Sequence, residues 1–77
     1  MSNAKQQPPL PDLDAITDNV RLGAVVDGYL EEIGEFRPGE AWEDCADRVV
    51  RRKLALAEWL RCADARWEQI AMSERQT

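Results

Sequence analysis

Residues 40–73 read EAWEDCADRVVRRKLALAEWLRCADARWEQIAMS and contain no glycine or proline. Within them Trp42, Ala46, Val49, Lys53, Leu56, Leu60, Ala63, Trp67 and Ile70 recur at alternating spacings of four and three. That is the seam of a coiled-coil-like helix. Cys45, Val50, Ala57 and Ala71 widen the seam, which favours a bundle over a bare zipper. Glu40, Glu43 and Asp44 crowd the first turn, where the helix dipole favours carboxylates. The pattern predicts one helix over 40–73, about 50 Å long. Lys53 interrupts the seam. A charged group there either sets register and oligomer state or packs its alkyl stem and lifts its ammonium to water.

Upstream, residues 34–40 read GEFRPGE. Gly34 can end a helix, and Pro38-Gly39 is a turn signal. Before them, a first helix is expected over about 12–36, with Asp12 and Asp14 at its positive end. Its apolar residues form two sets. Leu13, Ile16 and Val20 mark one face; Leu22, Val26, Tyr29, Ile33 and Phe36 mark the opposite one. Either the helix breaks near 18–23, with Asp18 as a new N-cap, or it is continuous and buried on both sides. Gly23, Gly28 and Gly34 each weaken a helix by about 1 kcal/mol relative to alanine, and would let a second helix approach closely. Residues 1–11, MSNAKQQPPLP, hold three prolines and few large apolar groups, so a disordered arm is expected there. Its Pro8-Pro9-Leu10-Pro11 run suits an aromatic groove or simply stops a helix.

The expected fold is therefore all-α: an antiparallel helical hairpin, turning at about 36–40, behind a disordered N-terminal arm. The chain has 77 residues, one small domain that buries roughly 60% of its unfolded surface. Two helices leave one side of a hairpin open, and three tryptophans fall on one of them. Pairing of two hairpins into a homodimeric four-helix bundle would cover the seam residues Trp42, Ala46, Val49, Leu56, Leu60, Ala63, Trp67 and Ile70.

Composition narrows function more by exclusion than by assignment. The chain has no histidine, which removes the commonest general base and metal ligand. Two cysteines seventeen positions apart offer no zinc set. On one helix they would stand about 25 Å apart, beyond disulfide reach. Reduced, mostly buried thiols are expected, in keeping with a cytoplasmic location. Serine occurs only at Ser2 and Ser73, there is no Gly-rich phosphate loop, and pairs such as Asp14 and Asp18 suit helix capping. No cofactor, metal or enzymatic activity is expected, and no run is long enough to span a membrane.

Charge is unevenly spread. Residues 12–47 hold eleven acids and two arginines, net −9; residues 48–77 hold seven bases and four acids, net +3. The sign changes at Arg48-Val49-Val50-Arg51-Arg52-Lys53. Arg48, Arg52, Trp59 and Arg66 fall on one helical stripe, and with Arg51 they could grip phosphates and stack a base. The overall charge of −5 opposes a polyanion. Pairing of this basic stretch with Asp27, Glu31, Glu32 and Glu35 is the better expectation, so nucleic acid is an unlikely partner. A third reading is an acidic inhibitor of a host protein, its carboxylates imitating a phosphate row.

The overall profile is 77 residues, acidic, histidine-free and built around the turn at 34–40. In these respects the chain resembles the KleA-like small accessory proteins of broad-host-range plasmids. Over the whole chain that resemblance implies a bacterial cytoplasmic helical protein linked to stable plasmid inheritance. The expected function is a small acidic non-enzymatic protein that works through protein contacts.

Overall fold

A computed structural model describes residues 8–76. Among the described residues the fold is all-α, with three helices: α1 (Asn19–Glu32), α2 (Trp42–Val49) and α3 (Leu54–Gln76).

α1 starts where the alternative reading placed a new N-cap. Asp18 is extended (φ −138°, ψ 152°), and its side chain accepts a hydrogen bond from the Arg21 N–H at 2.8 Å. This satisfies one of the orphan donors of the first turn. The expected start at Asp12 does not occur. Asp12 instead accepts a bond from the Asp14 N–H, and the Ile16 N–H closes a turn onto the Leu13 carbonyl at 3.1 Å. The two apolar sets thus belong to two elements. Leu13 and Ile16 enter the core from the turn; Leu22, Val26, Tyr29 and Leu30 enter it from α1. Val20, caught between them, is 85% exposed.

α1 ends at Glu32, short of the expected bound near 36, and its last carbonyls close around Gly34, the residue able to end a helix. The Gly34 N–H reaches the Glu31 carbonyl and the Glu35 N–H reaches the Leu30 carbonyl at 2.8 Å. This double closure needs a left-handed residue between them, and Gly34 has φ +82°. Pro38 and Gly39 then form the centre of a turn closed by the Glu40 N–H on the Arg37 carbonyl, with Gly39 at φ +85°.

The long helix expected over 40–73 is divided. Residues 50–53 leave the helical path: both the Arg52 and the Lys53 N–H groups bond to the Val49 carbonyl, at 3.0 and 2.8 Å. The Lys53 carbonyl then accepts from the Ala57 N–H to open α3. No glycine or proline marks the break. Its cause is tertiary. An unbroken helix would carry Trp42, Ala46 and Val49 away from α1 and leave them for another chain. Bending at 50–53 lays α2 back along α3, so that Ala46, Val49, Leu56, Leu60 and Ala63 all close into one core with α1. Burial within one chain costs no association entropy. Trp42 now faces Trp67, with ring centroids 5.6 Å apart and planes at 86°. Arg61 reaches Asp47 at 2.7 Å.

The arm expected over 1–11 divides as well. Residues 1–7 lie outside the described residues. Residues 8–16 run across the helices and are fastened by side chains below them. The Tyr29 hydroxyl donates to the Pro8 carbonyl at 2.7 Å, and the Trp59 indole N–H to the Pro11 carbonyl at 2.9 Å. Arg66 donates to the Ile16 carbonyl through Nη2 at 2.8 Å and Nε at 3.2 Å. Tyr29 and Trp59 also pack on each other, with centroids 5.2 Å apart.

Among the described residues no helix is long and apolar enough to cross a membrane.

Candidate functional site

Two constellations of side chains stand out, one ionic and one aromatic. The first is an ionic cluster around Glu35, the one buried charged residue among those described. Glu35 follows the Gly34 turn, so the backbone there aims its carboxylate at the break between α2 and α3. Arg48 Nη1 and Arg52 Nη2 meet its Oε1 at 3.1 and 3.4 Å, and Lys53 Nζ meets its Oε2 at 3.0 Å. Arg48 also grips Glu40 with a two-pronged fork, Nε to Oε2 at 3.0 Å and Nη2 to Oε1 at 2.8 Å. The same Nη2 donates to the Glu35 carbonyl and to Cys45 Sγ. Planar guanidinium geometry makes such shared recognition possible; an ammonium cannot reproduce it.

The electrostatics follow from these contacts. Burial pushes the Glu35 carboxyl up, but hydrogen bonds and charge from Lys53, Arg48 and Arg52 outweigh it and hold the group below the usual carboxylate range. The Arg48 fork holds Glu40 low as well. Burial raises the Cys45 thiol, against a smaller opposing pull from Arg48. Each Glu35 oxygen already accepts from a cation, so the cluster is built as a clamp. It ties the end of α1 to the end of α2 and the start of α3.

This clamp absorbs most of the basic stretch. Arg48 and Lys53 are engaged at Glu35, and Arg52 is drawn to it while its side chain stays 57% exposed. Lys53 is an intrachain ion pair at the mouth of α3, a role neither seam reading supposed. Trp59 is buried and bonded to Pro11, and Arg66 is bonded to Ile16. The stripe of Arg48, Arg52, Trp59 and Arg66 does not exist as a surface, because the bend at 50–53 puts Arg48 and Trp59 on different helices. Arg51 alone of the five is exposed and makes no side-chain hydrogen bond or ion pair among the described residues. Of the acids expected to meet the basic stretch, only Glu35 does. Asp27 accepts the Trp42 indole N–H at 3.2 Å, and Glu31 and Glu32 stay on the exposed face. Glu40, which sequence reasoning placed only as a helix-start residue, completes the cluster. Its signal was position: it flanks the Pro38-Gly39 turn opposite Glu35.

The second constellation is aromatic. The seam residues Ala46, Val49, Leu56, Leu60, Ala63 and Ile70 are buried within one chain. Trp42 and Trp67 are not fully covered: Trp42 is half-buried and Trp67 is 38% exposed. Together with Glu40, Ala41 and Asp64 they line an open groove of about 260 Å³. A second depression shares Asp64 and continues past Glu43, Arg61, Ala65 and Glu68. The platform beneath is firm. Trp67 lies over Gly23 of α1, its ring carbon 3.8 Å from where a Cβ would stand, and Trp42 is pinned by Asp27. The groove falls just short of the roughly 300–1,000 Å³ of small-molecule sites. It suits an anchoring side chain from a larger partner.

No family model, curated protein or solved structure matches the chain.

Proposed function

We propose that this chain is a small non-enzymatic helical protein that acts through protein contacts, and that its contact face is the α2–α3 surface around Trp42 and Trp67. One observation carries the reading: Trp67 stays 38% exposed, edge-to-face with Trp42, on a platform fixed by α1. Tryptophan is the residue type most enriched among the few that dominate protein–protein affinity, and rigid placement lowers the entropy cost of binding. The setting implied by the resemblance, an accessory protein of plasmid inheritance in the bacterial cytoplasm, accords with a role of this kind. The nucleic-acid reading loses support, since Arg48, Trp59 and Arg66 are spent on internal bonds.

The test is affinity capture from bacterial lysate with the parent chain and Trp67→Ser as baits, beside size-exclusion chromatography with light scattering on both. A partner held by the parent and released by Trp67→Ser is the expected result. A dimer of the parent that Trp67→Ser dissociates makes the partner a second copy. No Trp67-dependent partner and no Trp67-dependent dimer overturns the reading. Circular dichroism shows whether the variant remains folded.

A further inference from the structure

The chemistry of the groove narrows the class of partner. Asp64 lines both the tryptophan groove and the neighbouring depression, Glu43 and Glu68 line the latter, and all three are exposed. None has a cation within ion-pair distance among the described residues. The one cation lining these depressions, Arg61, is already held by Asp47 at 2.7 Å. Glu40, at the other edge, is matched by Arg48. The open indole of Trp67 therefore sits in a local field of unmatched negative charge.

We propose that this groove receives an arginine-bearing segment of a partner protein, with a guanidinium laid on the Trp67 indole and paired with Asp64. The proposal rests on the contact-face reading above and adds the occupant. A planar, weakly hydrated guanidinium both stacks on an indole and forks to a carboxylate, whereas an ammonium does only part of this. A second copy docking through the same face fits poorly. A two-fold contact is self-complementary, and it would set one acidic rim against the other.

The test uses nona-arginine, nona-lysine and nona-glutamate peptides, followed by tryptophan fluorescence and calorimetry. Nona-arginine is expected to bind saturably, nona-lysine several-fold more weakly, and nona-glutamate not at all. The variant Glu43→Gln/Asp64→Asn/Glu68→Gln is expected to weaken nona-arginine binding by about tenfold. A control that removes the same charge elsewhere, Asp14→Asn/Glu31→Gln/Glu32→Gln, is expected to cost far less. All six substitutions are at exposed positions, so both variants should fold. Equal loss in the two variants means general charge attraction only and overturns the proposal, as does absence of nona-arginine binding. A lysate partner that depends on Trp67 but is not displaced by nona-arginine also overturns it. That last result would leave the contact-face reading intact.

Discussion

Arg48 and Glu35 are thirteen residues apart in the chain and 3.1 Å apart in space, across the turn that joins α1 to α2. The pair is mostly sheltered, with side-chain exposures of 20% and 10%. Removing one partner of such a pair leaves the other charged and poorly hydrated, which typically costs about 3–5 kcal/mol. Arg48→Ala should therefore destabilise by about 3 kcal/mol, near the low end because Lys53 and Arg52 still reach Glu35. Arg48→Lys should recover only part of the loss, since one ammonium cannot hold Glu40, Glu35 and the Glu35 carbonyl together. Urea unfolding followed by circular dichroism measures both.

The same clamp gives stability a pH dependence of definite sign. A free Glu takes up its proton near 4.5, while Glu35 and Glu40 in the folded protein do so only at lower pH. Between those values the unfolded chain binds more protons, so the folded state loses ground as pH falls. The contribution is fully present above about pH 5 and disappears as pH drops from 4.5 through the depressed folded values. Urea midpoints should hold between pH 7 and 5 as far as these groups act and decline below. Glu35→Gln should be less stable than the parent at pH 7 and should show a shallower acid decline.

Two glycines should respond in opposite directions to alanine. Gly28 lies inside α1, and a Cβ there meets nothing within 4 Å. Gly28→Ala should stabilise by up to about 1 kcal/mol through helix propensity. Gly34 has equally open surroundings but a φ of +82°, so Gly34→Ala should cost about 1–2 kcal/mol in backbone strain. Thermal melts of the pair separate backbone conformation from side-chain crowding, since neither glycine is crowded.

The residues that punctuate the chain by their own chemistry were legible. Gly34, Pro38 and Gly39 act locally, and the structure places the end of α1 and the following turn on them. Asp18 was legible as one of two starts. The break at residues 50–53 was not, because nothing in Val50, Arg51, Arg52 or Lys53 forbids a helix. It accords with partners elsewhere in the chain: Glu35 pairs with Arg48, Arg52 and Lys53 around it, and apolar surface is buried when α2 lies along α3. That break also shifted the helical phase, so the stripe of Arg48 and Trp59 dissolved. The fastening of residues 8–16 was hidden for another reason: its acceptors are backbone carbonyls, which no side-chain pattern encodes. The aromatic face was visible only as seam positions. Which tryptophans would stay open depended on the fold-back.

Cysteine reactivity should report the packing directly. Cys45 is 2% exposed and its thiol is raised by burial, whereas Cys62 is exposed. A thiol reagent at pH 8 should label one cysteine quickly and the second only on unfolding. Mass spectrometry should place the first label on Cys62. Prompt labelling of Cys45 would mean that α2 opens readily from α3.

The fastening of residues 8–16 bears on the order in which the protein assembles. Pro11 meets Trp59 across 48 positions, and Ile16 meets Arg66 across 50. Such closures pay their loop entropy before they return any contact energy, and they slow folding relative to a bundle of sequential helices. During synthesis residues 8–16 emerge before α3 and must wait for it before they can dock. Until then Trp59 and Tyr29 lack their acceptors, and the nascent chain displays more aromatic surface than the finished one.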